Sequence, residues 1–283
     1  VDIIFLASLL SLRNRNRLIF FAQGYDEFYY RNPLKKLLTK ILCLFCLKIM
    51  NVKTIAVSNP LSETLKKKYG ANVTVVENGI DYDVFYPDPD ENLTRNKDNR
   101  KAVLLFSRSD HAKGLDIAIK VLNTLNDHWR DQIEIWICGE VLKQDILKHK
   151  VTNFGWLEKN KLRKVISSAD VLFYPTRYEG FPLFPIEAMA CGCPVVTTSA
   201  VSYLKDGHNA LVAEIEDADN LREKLLNVLR DELIRERLKK NGFEVASTYD
   251  IKKSQKKFEK AIIETLPINH RPPFDQLEKV SSN

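Results

Sequence analysis

Tyr178-Glu179-Gly180-Phe181-Pro182-Leu183-Phe184-Pro185-Ile186-Glu187-Ala188-Met189-Ala190-Cys191-Gly192-Cys193-Pro194-Val195-Val196 changes character three times along its length. Gly180 and two prolines make the first part a loop. From about Pro185 the residues favour helix, and Gly192 with Pro194 stops it. Val195-Val196-Thr197-Thr198 then reads as a buried parallel strand, as does Ala169 to Tyr174 upstream. The unit is strand, loop, helix, strand, which predicts an α/β fold of doubly wound parallel sheet. Ligands of such sheets bind at the carboxyl ends of the strands. Glu179 falls on the loop delivered there, and Glu187 on the helix behind it.

Two glutamates on a loop and a helix are ordinary surface charge in most proteins. The surroundings of Glu187 are not ordinary. Ile186, Ala188, Met189 and Ala190 are apolar, so a carboxylate among them requires a partner or a polar ligand. A ribose or sugar diol, donating two hydroxyls to one carboxylate, is such a ligand. A helix start beside it offers free N–H groups and partial positive charge to a phosphate.

These residues resemble the E-x7-E signature of retaining glycosyltransferases of family four, with the resemblance running from about Phe20 to about Ile263. It implies the GT-B architecture, two Rossmann-like doubly wound domains, the first incomplete here. It further implies that Glu187 holds the nucleotide ribose and that Glu179 contacts the donor sugar. Gly180, Phe181, Leu183 and Phe184 would lie against the donor, with the amides of Leu183 and Phe184 facing the pyrophosphate. Pro182 departs from the family, many of whose members carry glycine there, and it has no N–H to give.

The sequence has 283 residues, 45% of them hydrophobic, enough for one or two packed domains. A net charge of +6 suits an anionic nucleotide sugar or an acidic membrane surface. No basic-aromatic pattern points to nucleic acid. Five cysteines, with Cys138 in a predicted core strand, argue for a reducing compartment, so a cytoplasmic location is expected. Cys43-x-x-Cys46 lacks a second pair or a histidine, so no metal is expected.

Residues 2–6 and 17–22 read as strands of a first domain covering 1–87, with an aromatic, acidic loop at 23–30 between the second of them and a helix over 33–50. That helix sets four lysines against leucines and isoleucines, and a peripheral contact with the inner membrane face is one expectation for it. A core helix with snorkelling lysines is the other. Strands at 53–58 and 73–76 and a helix at 61–69 follow. Asn78-Gly79-Ile80-Asp81, leading to Pro87, resembles the family segment that closes the first domain. With few strands before residue 88, an amino-terminal truncation is expected. Residues 88–101 read as a polar linker.

The second domain is expected over 102–247, starting with the strand Lys101 to Ser107. Arg108-Ser109-Asp110-His111-Ala112-Lys113-Gly114 resembles the family's G-R-x-x-x-x-K-G, with Ser107 in place of the glycine. Two cations on one strand-end loop suit a pyrophosphate, Arg as a fork and Lys as a point charge. The family resemblance also sets Gly155-Trp156-Leu157 against the nucleobase. Ser199, Ala200 and Ser202 stand where the family usually has glycines and a glutamate. A helix over 248–266 is expected to return to the first domain, and 267–283 reads as a polar tail.

The activity expected is transfer of a sugar, with retention, from a nucleotide-sugar donor to a glycan or lipid-linked acceptor, of hexosyl or deoxyhexosyl type, in cell-surface polysaccharide synthesis. Arg108, Lys113 and helix-end amides would stabilise the leaving diphosphate, replacing a divalent ion, and Glu179 would orient the donor. Two rivals remain at this stage. One is a glycoside hydrolase or phosphorylase whose acid and nucleophile are Glu179 and Glu187. The other is a non-catalytic nucleotide-sugar binder, or half of a split enzyme.

Overall fold

A computed structural model of the protein describes residues 18–25, 32–97 and 99–265. The expected strand at 2–6, most of the 23–30 loop and the 267–283 tail lie outside them. The chain forms two compact units, one of residues 1–79 and 251–283, the other Ile80–Asp250.

In the first unit, strands β1 (Ile19–Ala22), β2 (Lys53–Ala56) and β3 (Val73–Val75) pair in parallel in that order. Helix α1 (Pro33–Cys43) connects β1 to β2, with the Asn32 side chain accepting from Leu34 and Lys35 N–H at its start. It continues as a π-helical turn, Leu44–Ile49, that residue periodicity did not announce. Helix α2 (Asn59–Tyr69) starts two residues earlier than the sequence suggested, on a Ser58 cap, and ends at left-handed Gly70. The closing helix Ile251–Thr265 sets Phe258, Ala261 and Ile262 against Ile19, Phe21, Ile55 and Val76.

The second unit starts earlier than the sequence suggested, and the reason is hydrogen bonding. Ile80 N–H donates to Tyr249 O at 2.8 Å, and Val84 O accepts from Arg163 at 3.0 Å. The segment read as a polar linker is packed structure as well. Asp90 caps a short helix, α3 (Glu91–Asn96), and Asp88 pairs with Arg163 at 2.9 Å. A polar segment rich in Asp and Asn thus supplies caps and ion pairs.

Strand β4 (Lys101–Ser107) is followed by helices α4 (Leu115–Asn123) and α5 (Asp127–Arg130), strand β5 (Ile133–Gly139) and strand β6 (Lys150–Gly155). Helix α6 (Lys159–Ser168), β7 (Val171–Tyr174), α7 (Leu183–Ala190) and β8 (Val195–Thr198) come next. Strand β9 (Leu211–Ala213), α8 (Ala218–Arg230) and α9 (Glu232–Ala246) complete the unit. All six strands are parallel, in the order β6-β5-β4-β7-β8-β9. β4, β5 and β7 are mostly apolar runs because they are covered on both faces, and β8 is buried as well. One face packs Val103, Leu105, Ile135, Ile137 and Phe173 against Val121 and Leu122 of α4 and Leu221 and Leu225 of α8.

Strand order reverses between β4 and β7. From β4 the chain works outward through β5 and β6, then returns to the opposite side of β4 as β7. In parallel sheets of this kind, ligands bind at such a switch point, beyond the carboxyl ends of the strands.

Candidate functional site

Lys113 and Glu179 arrive at this switch point from opposite sides. Ser107 ends β4 and Tyr174 ends β7, and the register pairs Leu104 with Leu172, so the two loops leave at one level. The loop after β4 closes in a single helical turn, His111–Lys113, and ends at left-handed Gly114. The loop after β7 is fastened directly to it. The Ala112 carbonyl accepts from Arg177 N–H at 2.8 Å, Tyr178 N–H at 3.3 Å and Thr176 Oγ1 at 2.8 Å. The Arg177 guanidinium adds His111 O at 2.8 Å, a two-pronged pair with Asp116 and a contact with Glu216. Thr198 Oγ1, at the end of β8, donates to Thr176 O at 2.5 Å.

Within this frame Lys113 Nζ donates to both carboxylate oxygens of Glu179, at 2.9 and 2.8 Å. Tyr174 Oη at 2.5 Å donates to the same carboxylate, and Thr176 Oγ1, whose one proton is shared with Ala112 O, lies 3.0 Å from it. The side chains of the ion pair are 13% and 5% exposed, so each charge depends on the other for its solvation. Sequence reading found Lys113 and Glu179 but none of Tyr174, Thr176, Arg177 or Asp116, which act through contacts across strand ends.

The structure does not bring Arg108 to this pair. Its guanidinium turns to Asp110 in its own loop at 2.9 Å, half exposed. Glu187 sits on α7, partly buried between buried Ile186 and Ala188. Burial pushes its carboxyl up to about 7, with Lys159 pulling the other way. Phenolic Tyr203 feels both glutamates: burial first, then the charges of Glu179, Tyr249 and Glu187, hold its pKa well above the usual value. Its hydroxyl donates to Pro182 O at 2.7 Å. Tyr203 therefore stands against the motif beside the positions where the family pattern is missing.

Helix α7 begins at Leu183 behind Pro182, and no side chain caps it. With prolines at 182 and 185, the N–H groups of Leu183 and Phe184 are the first-turn donors it presents. Phe184 is buried, stacked on Phe106 at 4.8 Å. Phe181 is buried between Tyr203 and Tyr249, both at 5.2 Å. Gly180, between Glu179 and Phe181, is buried too. At the end of β6, Gly155 turns the chain so that Trp156, 66% exposed, meets the edge of Phe106 at 5.9 Å. Trp156, Phe106, Phe184 and Tyr174 thus form an aromatic row along the carboxyl edge. Among the described residues no group of three or more His, Cys, Asp or Glu side chains is placed to hold a metal ion.

Glu187 yields a test with a definite sign. Its folded pKa is raised, so stability is full below about pH 4.5 and is lost as pH rises through about 7. A shift of that size corresponds to about 3 kcal/mol. Glu187→Gln is expected to match the parent at pH 4.5 and to exceed its stability by up to about 3 kcal/mol at pH 8, read from urea unfolding at both pH values.

Comparison with known proteins agrees with this architecture. The chain is 26% identical over 203 residues to an uncharacterized glycosyltransferase of Methanocaldococcus jannaschii, covering 70% of this chain and 54% of that protein. It is 30% identical over 95 residues to the N,N'-diacetylbacillosaminyl-diphospho-undecaprenol alpha-1,3-N-acetylgalactosaminyltransferase of Campylobacter jejuni, covering 32% of this chain and 25% of that protein. The chain thus spans about half the length, or less, of these curated relatives. In fold it resembles Anabaena HepE, crystallised with UDP and glucose: TM-score 0.77, 18% identity, 93% of this chain and 76% of that one. The profile of glycosyl transferases group 1 matches residues 89–245. That match takes in more than half of the chain, including the switch point, the Lys113–Glu179 pair and α7, and the chain belongs to the glycosyl transferases group 1.

Proposed function

We propose that the protein transfers a hexosyl or deoxyhexosyl group, with retention of anomeric configuration and without a metal ion, from a nucleotide sugar to a glycan or lipid-linked acceptor. The observation that carries this reading is the Lys113–Glu179 pair, held at the switch point by Tyr174, Thr176 and the Ala112 carbonyl. The bond that breaks joins carbon 1 of the sugar to a diphosphate oxygen. The bond that forms joins that carbon to the acceptor hydroxyl oxygen, and the hydroxyl proton leaves with the diphosphate. Negative charge grows on the leaving diphosphate, and Lys113, Arg108 and the Leu183 and Phe184 amides are the groups assigned to meet it. Ionised Glu187 accepts from the ribose diol, Gly180 and Phe181 line the sugar, and Trp156 with Gly155 borders the base.

HepE's UDP and glucose and the undecaprenol-linked substrate in the Campylobacter name support a UDP-sugar and a lipid-linked acceptor as first choices. A cytoplasmic place at the inner membrane face, in cell-surface polysaccharide synthesis, follows for such an acceptor. The test is a thermal-shift series with UDP-, GDP- and dTDP-sugars. One nucleotide class is expected to raise the Tm by several degrees, with the shift lost in Glu187→Ala. No shift with any of them would remove the reading.

A further inference from the structure

At the edge of the six-stranded sheet, β5 and β6 carry polar and aromatic side chains on one face. Glu134 lies beside Lys150 in the register and Trp136 beside Thr152. Trp136 also meets Phe154, edge to face, with ring centroids 5.5 Å apart. With Leu93 and Asn96 of α3 these residues line a cavity of about 430 Å³, within the size range of small-molecule sites. Glu134 is only 4% exposed. Its Oε1 accepts from Thr152 Oγ1 at 2.5 Å. Its Oε2 has no hydrogen-bond donor among the described residues; Lys150 Nζ, 3.0 Å away, is an ion partner to it and does not meet hydrogen-bond geometry. A buried carboxylate oxygen without a donor is costly, so a ligand that donates to it gains accordingly. The switch point makes no use of this carboxylate: Glu134 is five residues before Gly139, the end of β5, roughly 16 Å along the strand.

We propose that this cavity is a second, non-catalytic saccharide site that holds one neutral hexose unit. Charge and polarity select the ligand. An anion would meet the Glu134 carboxylate. A cation would meet Lys150, and Lys97, whose Nζ is 5.9 Å from the Trp136 ring. A wholly apolar ligand would leave Oε2 without a donor. A neutral sugar ring answers each group: one hydroxyl donates to Glu134 Oε2, others accept from Lys150 Nζ and the Asn96 amide, and the C–H face rests on Phe154, which Trp136 backs. The site goes beyond the proposed transfer, since it needs neither nucleotide nor leaving group.

The protein's three tryptophans, Trp129, Trp136 and Trp156, make the site readable. Labelled with ¹⁵N-tryptophan, the whole chain gives one indole N–H signal from each, assigned with Trp129→Phe and Trp156→Phe. The probes are the methyl glycosides of glucose, galactose, mannose and N-acetylglucosamine, titrated with no nucleotide present. At least one is expected to move the Trp136 signal while that of Trp129 stays, with a Kd of about a millimolar, as suits so small a ligand. Glu134→Gln/Lys150→Gln removes both charges together, so neither is stranded, and should raise the Kd about tenfold. Asn96→Ala, at an exposed helix end, leaves the core untouched and should raise it severalfold. The proposal is overturned if none of the four glycosides moves the Trp136 signal, if only Trp156 responds, or if the Kd is the same in both variants as in the parent. Because no nucleotide enters this titration, its failure leaves the proposed transfer standing, and the nucleotide-sugar series tests that reading by itself.

Discussion

Lys113→Met is expected to lower turnover about a thousandfold while weakening donor binding less than tenfold, if its charge meets the leaving diphosphate as proposed. The same substitution is expected to cost stability. Glu179 is 5% exposed and takes both prongs of the lysine, so removing Lys113 strands a buried carboxylate. Breaking one side of such a pair costs about 3 kcal/mol. The two effects need separating, since a half-unfolded enzyme also turns over slowly.

A double-mutant cycle separates them. Glu179→Gln alone strands the lysine and should also destabilise, by a similar amount. The pair Lys113→Met/Glu179→Gln removes both charges, and Tyr174 and Thr176 can still donate to the amide oxygen. Its stability is expected to return to within about 1 kcal/mol of the parent. Its turnover is expected to stay at least as low as that of Lys113→Met. Urea unfolding, calorimetric donor titration and steady-state kinetics read the three quantities. If donor affinity and turnover fall by equal factors, Lys113 binds the ground state as tightly as the transition state, and its assignment to the leaving group is wrong.

How far this site can be read without coordinates depends on the range of each interaction. The strands β4, β5 and β7 are legible because burial on both faces leaves few polar positions in them, and β8 because its valines and threonines are β-branched. The loop and helix positions of Glu179, Glu187 and Lys113 are legible from the glycines and prolines around them, and the roles proposed for them come from the resemblance of their motifs to the family pattern. Thr176 and Arg177 have no such mark. Their work is to tie one strand-end loop to another, residues 112 and 116 to residues 176 and 177, and nothing local in either loop records it. Arg108 shows the converse: its spacing from Lys113 suggests a joint role, but an ion two residues away, Asp110, competes for it, and spacing cannot decide between acidic partners. The 88–101 segment failed as a linker because Asp88 and Asp90 were counted as polar filler, whereas one is an ion-pair partner and the other a helix cap. The π turn of residues 44–49 escaped because its apolar residues fit an ordinary helical repeat well enough.

The loop junction also sets the second large effect. Gly114→Ala is expected to destabilise the second unit by about 4 kcal/mol, from left-handed strain of about 1–2 kcal/mol and lost hydrogen bonds to a backbone carbonyl of about 1 kcal/mol each. Gly114 has φ +67°, and a Cβ there would lie 1.8 Å from the Pro175 carbonyl oxygen and 2.8 Å from its carbon. Neither atom belongs to a flexible side chain, so one loop must move off the other. The bonds at risk are those to Ala112 O from Thr176, Arg177 and Tyr178. Gly207→Ala is the control: it lies in the same unit, with φ +70° and nothing within 4 Å of an added Cβ, so only the left-handed strain of about 1–2 kcal/mol applies. Equal losses in the two variants would show that the close approach at Pro175 has no energetic weight. The kinetic consequence follows from where the strain falls. Separating the loops pulls Lys113 from Glu179, so turnover in Gly114→Ala should drop towards that of Lys113→Met, and combining the two substitutions should lower it little further. A fully additive loss would mean that Gly114 serves folding alone, and that the lysine keeps its place without the junction.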